Sequence, residues 1–426
     1  MDIRNYIHNW FKNFLEILHH ELRLIFTDSG VILIFFVAGL GYPLLYNVVY
    51  YNGIVENSPV AVVDMADCQL SRRFIRKVDA TRECAVAYKC ENMAEAEKLM
   101  KEKKANAIFY FPSDFDQVIN NKQTAHVSVY ADMGTFLYYK NAMVASNLVM
   151  LDEIHQIQLE RFSSMGMGSE NAWEMIEPVP YEANNPYNNA FSYRFFLVTV
   201  ILFVIIQQLM FYGMSLLVGT AREENRSFAT MPDSFEGLGI GRIVLGRGMA
   251  YWIVFMIIGI YITFIVPAIF GLPQRGDFFQ VMVLLMVFVT DCVFFCEAWS
   301  SVITRRESVF ILFLFVSVLC VFLSGSSWPT SEFPKFWKWF SYLFPTTFGC
   351  QAFLNMNAAG GSFAEAQTQF AGLFIQTISY YCLATIAVHI ENWILKHKEV
   401  LKARKAELAS RAGIDEDEDR RIIAGE

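Results

Sequence analysis

Apolar residues in this chain gather into two patterns with a long polar stretch between them. One uncharged run, 30–55, stands alone, whereas five more apolar runs crowd between Arg194 and Glu391. A hydrocarbon core of about 30 Å demands about 20 apolar residues per helix, and the uncharged stretches 195–221, 248–274, 308–331 and 366–390 meet that length. A further run, 278–304, meets it with only Asp291 and Glu297 interrupting. The first run is too long, and too far from the start, for the apolar centre of a cleavable signal, so it is expected to remain as a membrane helix.

Other periodicities fill the gaps. Ile3, Tyr6, Ile7, Trp10, Phe11, Phe14, Leu18, Leu22 and Ile25 recur at three- and four-residue spacing with polar residues between them, which predicts an amphipathic helix lying on the membrane surface. Asp28 and Ser29 then read as the cap of the first spanning helix. The polar stretch alternates short β-rich runs (59–64, 84–88, 107–111, 127–131) with helical ones (71–79, 93–103, 114–120, 135–162), the pattern of an α/β domain with its own core. The fold expected is an α-helical membrane protein with six transmembrane helices and an inserted α/β extracytoplasmic domain. Its segments run 1–29 (interfacial helix), 30–51, 52–187 (inserted domain), 188–221, 222–247 (loop), 248–270, 278–304, 308–327, 328–362 (outer segment), 366–395 and 396–426 (tail).

Composition agrees that membrane and water-facing parts coexist: of 426 residues, 54% are hydrophobic and 18% charged. The net charge of −8 says little, because the parts lie in different compartments, but the basic residues of short loops orient the chain. Arg4, Lys12, Arg23, Arg222, Arg226, Arg242, Arg247, Arg305, Arg306 and the basic run from Lys396 fall on one side; Arg275, Lys335 and Lys338 fall on the other. Both termini are therefore expected inside and the inserted domain outside. Three of the eight cysteines, Cys68, Cys84 and Cys90, lie in that domain; an odd number argues against a disulfide framework, with free thiols favoured over a Cys84–Cys90 bridge. His19 and His20 have no convergent acidic or thiol partner, so no metal site is expected.

Four motifs in order resemble the permease subunits of type-2 ABC exporters: HELRLIFTDSG before the first span, PVAVVD opening the inserted domain, GTAREENRSFATMP after the second span, and LSGSSWPTSEFP with FPTTFGCQAFLNM after the fifth. The branch with a large periplasmic domain between spans one and two is the most similar, and the likeness covers nearly the whole chain. It implies a dimeric permease, formed with a second copy or a homologue, and two cytoplasmic ATP-binding subunits. It also implies a bacterial inner-membrane location, with a periplasmic adaptor and an outer-membrane channel as further partners beside the lipid bilayer. No nucleic-acid partner is expected.

No GxxxxGK[ST] phosphate-cradling loop occurs, so the chain is expected to bind no cofactor itself, with ATP and Mg on the partner and no catalytic residue here. The resemblance places a coupling helix at Arg222, Glu223, Glu224, Arg226 and Phe228, ended by Pro232. There the charges make interfacial ion pairs and Phe228 anchors, unless the segment is an ordinary solvated loop. Asp291 and Glu297 are anomalous, because an intramembrane carboxylate is costly and points to function. Six residues apart, they stand about 120° apart on a helix and form no paired-carboxylate site. They are candidates for the translocation path together with Gln207 and Gln208, or else structural partners of Arg305 or of those glutamines. Trp328, Pro329, Phe333 and Pro345 are candidates for an outer gate, within an aromatic segment that equally suits interface anchoring and reads as a pair of short re-entrant helices.

The function expected is the spanning permease of an ATP-driven exporter of drugs or other small molecules, working by alternating access. A membrane-anchored ligand sensor or assembly scaffold is the alternative, and an ion-driven carrier the third reading.

Overall fold

A computed structural model, describing residues 3–179, 188, 192–224, 239–326 and 328–412, divides the chain into two units: Asn52–Phe191, and Met1–Tyr51 with Ser192–Glu426.

The first unit is built on a four-stranded sheet of order β2-β1-β3-β4. The strands are β1 (Ser58–Asp64), β2 (Cys84–Cys90), β3 (Ala107–Phe111) and β4 (Ser128–Ala131). Parallel pairing of β1 with β2 and β3 explains why β1 reads as an unbroken apolar run: parallel strands are covered on both faces. Val60 and Val62 pack with Phe74, Val78, Ala142 and Val149 on one face, whereas Ala61 and Val63 pack with Ala96 and Ala105 on the other. The helix expected from 71 starts earlier, at Gln69, because Cys68 and Ser71 exchange hydrogen bonds between side chain and backbone in a capping box. Cys84 and Cys90 occupy opposite ends of β2, roughly 20 Å apart at about 3.3 Å per residue, far beyond disulfide reach. All eight cysteines are free.

The second unit holds six helices long and apolar enough to cross a membrane: Ser29–Val49, Arg194–Glu223, Ile240–Phe270, Phe278–Ser300, Arg306–Leu323 and Gln367–Glu391, here spans 1 to 6. Span 1 widens through a π-helical stretch, Leu33–Ala38, and continues past Pro43. It lies so close to span 2 that a Cβ on Gly213 would fall 2.0 Å from the Phe35 ring, so only glycine fits. Span 3 closes on Gly271, whose φ of +65° forms a left-handed cap.

Several boundaries differ from the sequence expectation. Span 3 begins at Ile240 instead of 248, so Arg242 and Arg247 belong to the helix and not to a loop. The sixth helix runs without interruption from Gln367 to Ala412, since residues 396–412 contain no glycine or proline to stop it and are rich in helix formers. The N-terminal helix, Ile3–Thr27, does more than lie on a surface. Ile17, Glu21 and Ile25 are buried whereas Phe11 and Leu15 are exposed, and Gly246 of span 3 leaves room for Ile17. Between spans 5 and 6 there are two short helices, Lys335–Ser341 and Pro345–Phe353. Only the second enters the bundle, where the Phe353 and Phe203 rings stack with centroids 4.1 Å apart.

Candidate functional site

Span 2 ends in the residues assigned to the coupling segment, and there the chain gathers four other elements. Arg222 donates to the carbonyls of Ser301 (2.8 Å) and Ile303 in the turn between spans 4 and 5, and pairs with Glu391 of span 6 at 3.3 Å. Glu223 accepts the first amide of span 5, Arg306 N–H, at 2.8 Å, which is a helix cap supplied from another helix. The Arg306 guanidinium donates to Thr220 at 2.7 Å and to Asp28 at 3.1 Å. Asp28 in turn caps span 1 by accepting from Gly30 N and Val31 N. Burial alone would raise the Asp28 carboxyl, but the Arg306 guanidinium and the two amide donors outweigh it and hold the group below the ordinary aspartate range. Spans 1, 2, 5 and 6 and the 301–305 turn are thus fastened at one end by charge-assisted bonds. Glu224 also has a partner; Arg226, Phe228 and Pro232 lie outside the described residues.

At the same end the N-terminal helix is fixed by a buried polar cluster. Glu21 accepts from Tyr251 Oη at 2.9 Å and from Arg247 Nη2 at 3.4 Å. Arg247 also interacts with Glu297 of span 4, and all three charged side chains are buried. The partner found for Glu297 is therefore Arg247, not Arg305, which is exposed at the head of span 5. Neither carboxylate oxygen of Glu297 or of Asp291 has a hydrogen-bond partner among the described residues. Asp291 is fully buried against span 6, where Thr377 is its polar neighbour. Thr377 spends its proton on Leu373 O at 2.8 Å.

Gln207 and Gln208 do not join the carboxylates. Gln207 donates to Cys320 Sγ at 3.3 Å and accepts from Thr346 N at 2.9 Å, joining span 2 to span 5 and to the buried helix; Gln208 is buried beside Cys320. The four gate candidates differ in burial. Pro345 is buried as the first residue of its helix, Phe333 packs partly on the core, and Trp328 and Pro329 are exposed. At this opposite end of the bundle Arg194, which had read only as a span boundary, is buried. It donates to Tyr51 O at 3.1 Å and to Phe270 O at 2.5 Å, joining the ends of spans 1, 2 and 3.

The sequence matches the family model for the ABC-2 family transporter protein over residues 29–386. The chain belongs to this family of ABC transporter permeases. The match covers the α/β unit, spans 1 to 5 and most of span 6. It makes the protein a multi-pass membrane subunit of an ABC transporter and implies an ATP-binding partner subunit. No curated protein matches the chain.

For this permease, Glu21, Arg247 and Arg306 are the residues that sequence reading missed as site residues. Arg247 sits within the apolar run IGRIVLGRGMAYWIVF, and a charge inside such a run was the available signal. Its count as a loop cation hid it.

Proposed function

We propose that the permease is the membrane path of an ATP-driven exporter for drugs or other small molecules, acting by alternating access with two ATP-binding subunits and a second permease copy. The fastened end of the bundle is cytoplasmic, the segment between spans 2 and 3 docks on the ATPase, and the α/β unit lies outside the inner membrane, where it meets an adaptor leading to an outer-membrane channel. Neither ATP nor Mg binds this chain. The observation that carries the reading is the fastening of Arg222 and Glu223 to spans 5 and 6 and the turn between spans 4 and 5, extended to span 1 by the Arg306–Asp28 pair. Because these two residues lead directly into the docking segment, a displacement there is passed to the spans through short, charge-assisted bonds rather than lost in a slack loop.

Glu224→Arg tests this in the complex co-expressed with its ATP-binding subunit. The variant is expected to insert and assemble normally and to hydrolyse ATP while transport of a fluorescent efflux substrate from vesicles falls at least tenfold. Unchanged coupling removes the docking role from this segment. Failure of the permease to co-purify with any ATP-binding subunit turns the reading to a membrane-anchored sensor.

A further inference from the structure

Spans 3, 4 and 6 line a half-open cavity of about 420 Å³, whose walls include Gly248, Trp252, Met286, Thr290, Phe374 and Thr377, the Met286 and Phe374 side chains being exposed. Its wall is apolar and aromatic, and its polar atoms are of one kind. Thr290 and Thr377 donate to carbonyls of their own helices, Met286 O at 2.7 Å and Leu373 O at 2.8 Å; Trp252 Nε1 donates to Thr290 Oγ1 at 3.1 Å. The donors are thus spent within the wall.

The two orphan carboxylates stand directly behind this wall. Asp291 neighbours Thr377. Glu297 lies behind Gly248, where a Cβ would come 3.7 Å from its Oε1, with the Val293 and Phe294 side chains beside it at 3.0 and 3.6 Å. The acidic and basic groups buried around the cavity do not balance in number. Glu21, Asp291 and Glu297 are buried, and among the described residues the buried cations are Arg194 and Arg247. Arg194 is committed to backbone carbonyls at the ends of spans 1 to 3. Arg247 donates to Glu21 and is shared with Glu297, which leaves Asp291 with no cation. A cavity of ligand size, lined by Trp252, Phe294 and Phe374, aromatic residues of a type whose ring faces attract cations, and backed by carboxylates without hydrogen-bond partners, is complementary to a guest both apolar and positive.

We propose that this cavity binds a lipophilic organic cation, an aromatic or quaternary onium ion that enters from the lipid and is held by Asp291 and Glu297 through the aromatic wall. The inference deepens the export reading and rests on it only in treating the ligand as cargo; the binding itself does not require it.

The test is equilibrium binding to the permease with its ATP-binding subunit in lipid nanodiscs, using tetraphenylphosphonium and its anionic counterpart of the same shape, tetraphenylborate. The phosphonium is expected to bind saturably and the borate not. Asp291→Asn with Glu297→Gln, which preserves shape, should weaken phosphonium binding at least tenfold, and Met286→Trp, which fills the cavity from its exposed side, should abolish it. Equal binding of both ions, or phosphonium binding untouched by the amide substitutions, overturns the proposal and leaves an acyl-chain groove. Where the amide variant is not recovered folded, Met286→Trp decides: undiminished binding places the ion elsewhere. ATP hydrolysis by the wild-type complex, measured alongside, separates failure of this proposal from failure of the export reading.

Discussion

The two units treat charge in opposite ways. In the α/β unit the apolar residues are inside and the principal ion pairs lie at the edge of the core. Arg73 and Lys77 of helix Gln69–Asp79 reach Glu153 of helix Phe136–Ser164 at 2.8 and 2.7 Å; Glu153 is buried, but both cations are about a quarter to a third exposed. In the spanning unit, Phe310, Ile311, Leu314 and Phe315 are exposed, whereas Glu21, Arg247 and Glu297 are buried among helices. Charge at the edge of a core remains partly solvated and its pairing is worth little more than an ordinary polar contact. Charge taken fully out of water is a liability whose partners cannot be removed singly. The same pair of residue types is therefore a modest fastening in one unit and a strict requirement in the other.

Arg247→Met should show the larger effect. It leaves Glu21 and Glu297 buried without their cation, and the expected loss is about 3–5 kcal/mol, read as a lowered thermal transition of the purified permease in detergent. Adding Glu21→Gln should recover part of that loss by removing one stranded charge. If Arg247→Met melts like the wild type, the buried cluster is not what fastens the N-terminal helix to spans 3 and 4, and the contrast between the units fails.

Glu153→Ala should cost less, about 1–3 kcal/mol, because Arg73 and Lys77 can turn to water and keep Glu160 and Asp152 respectively as partners. Hydrogen exchange on the whole permease should show faster opening in helices Gln69–Asp79 and Phe136–Ser164 while the spans keep their protection. A cost equal to that of Arg247→Met would mean that the pair is as dry as the intramembrane cluster.

The comparison also explains what the sequence disclosed. The six spans and the strand β1 follow from local composition, because a 20-residue apolar run or a short β-branched one leaves the chain few alternatives. The capping of span 1 by Asp28 is likewise a matter of adjacent residues. The fastenings are not local. Glu21 and Arg247 are 226 positions apart, and Arg306 and Asp28 are 278 apart. Arg247 and Arg306 read alone as basic residues of short loops, and only the folded bundle shows which acids they meet. Asp291 and Glu297 were conspicuous because they interrupt an apolar run, but their surroundings, a cavity wall on span 6 and an arginine on span 3, come from helices that no spacing within span 4 could reveal. The continuation of the sixth helix to Ala412 was legible from its composition and was obscured by treating charge as a boundary.

The smallest effect concerns Cys84, and it measures opening in the α/β unit directly. Burial pushes the Cys84 thiol up to about 12, with the charge of Glu83 adding to it, whereas Cys68, at the head of helix Gln69–Asp79, is only half-buried. A thiol whose pKa is raised in the folded state holds its proton more tightly there. Its contribution to stability is thus complete below its ordinary pKa of 9.0 and is lost as pH rises from there toward about 12. Only the thiolate reacts with iodoacetamide, so at pH 8 Cys68 should be alkylated at least tenfold faster than Cys84. Residual reaction at Cys84 then passes through transient opening of the sheet. Glu153→Ala should accelerate it while leaving Cys68 unchanged, and Arg247→Met, which disturbs only the spanning unit, should accelerate neither. A rise at Cys84 in Arg247→Met would show that the two units do not hold their charges independently.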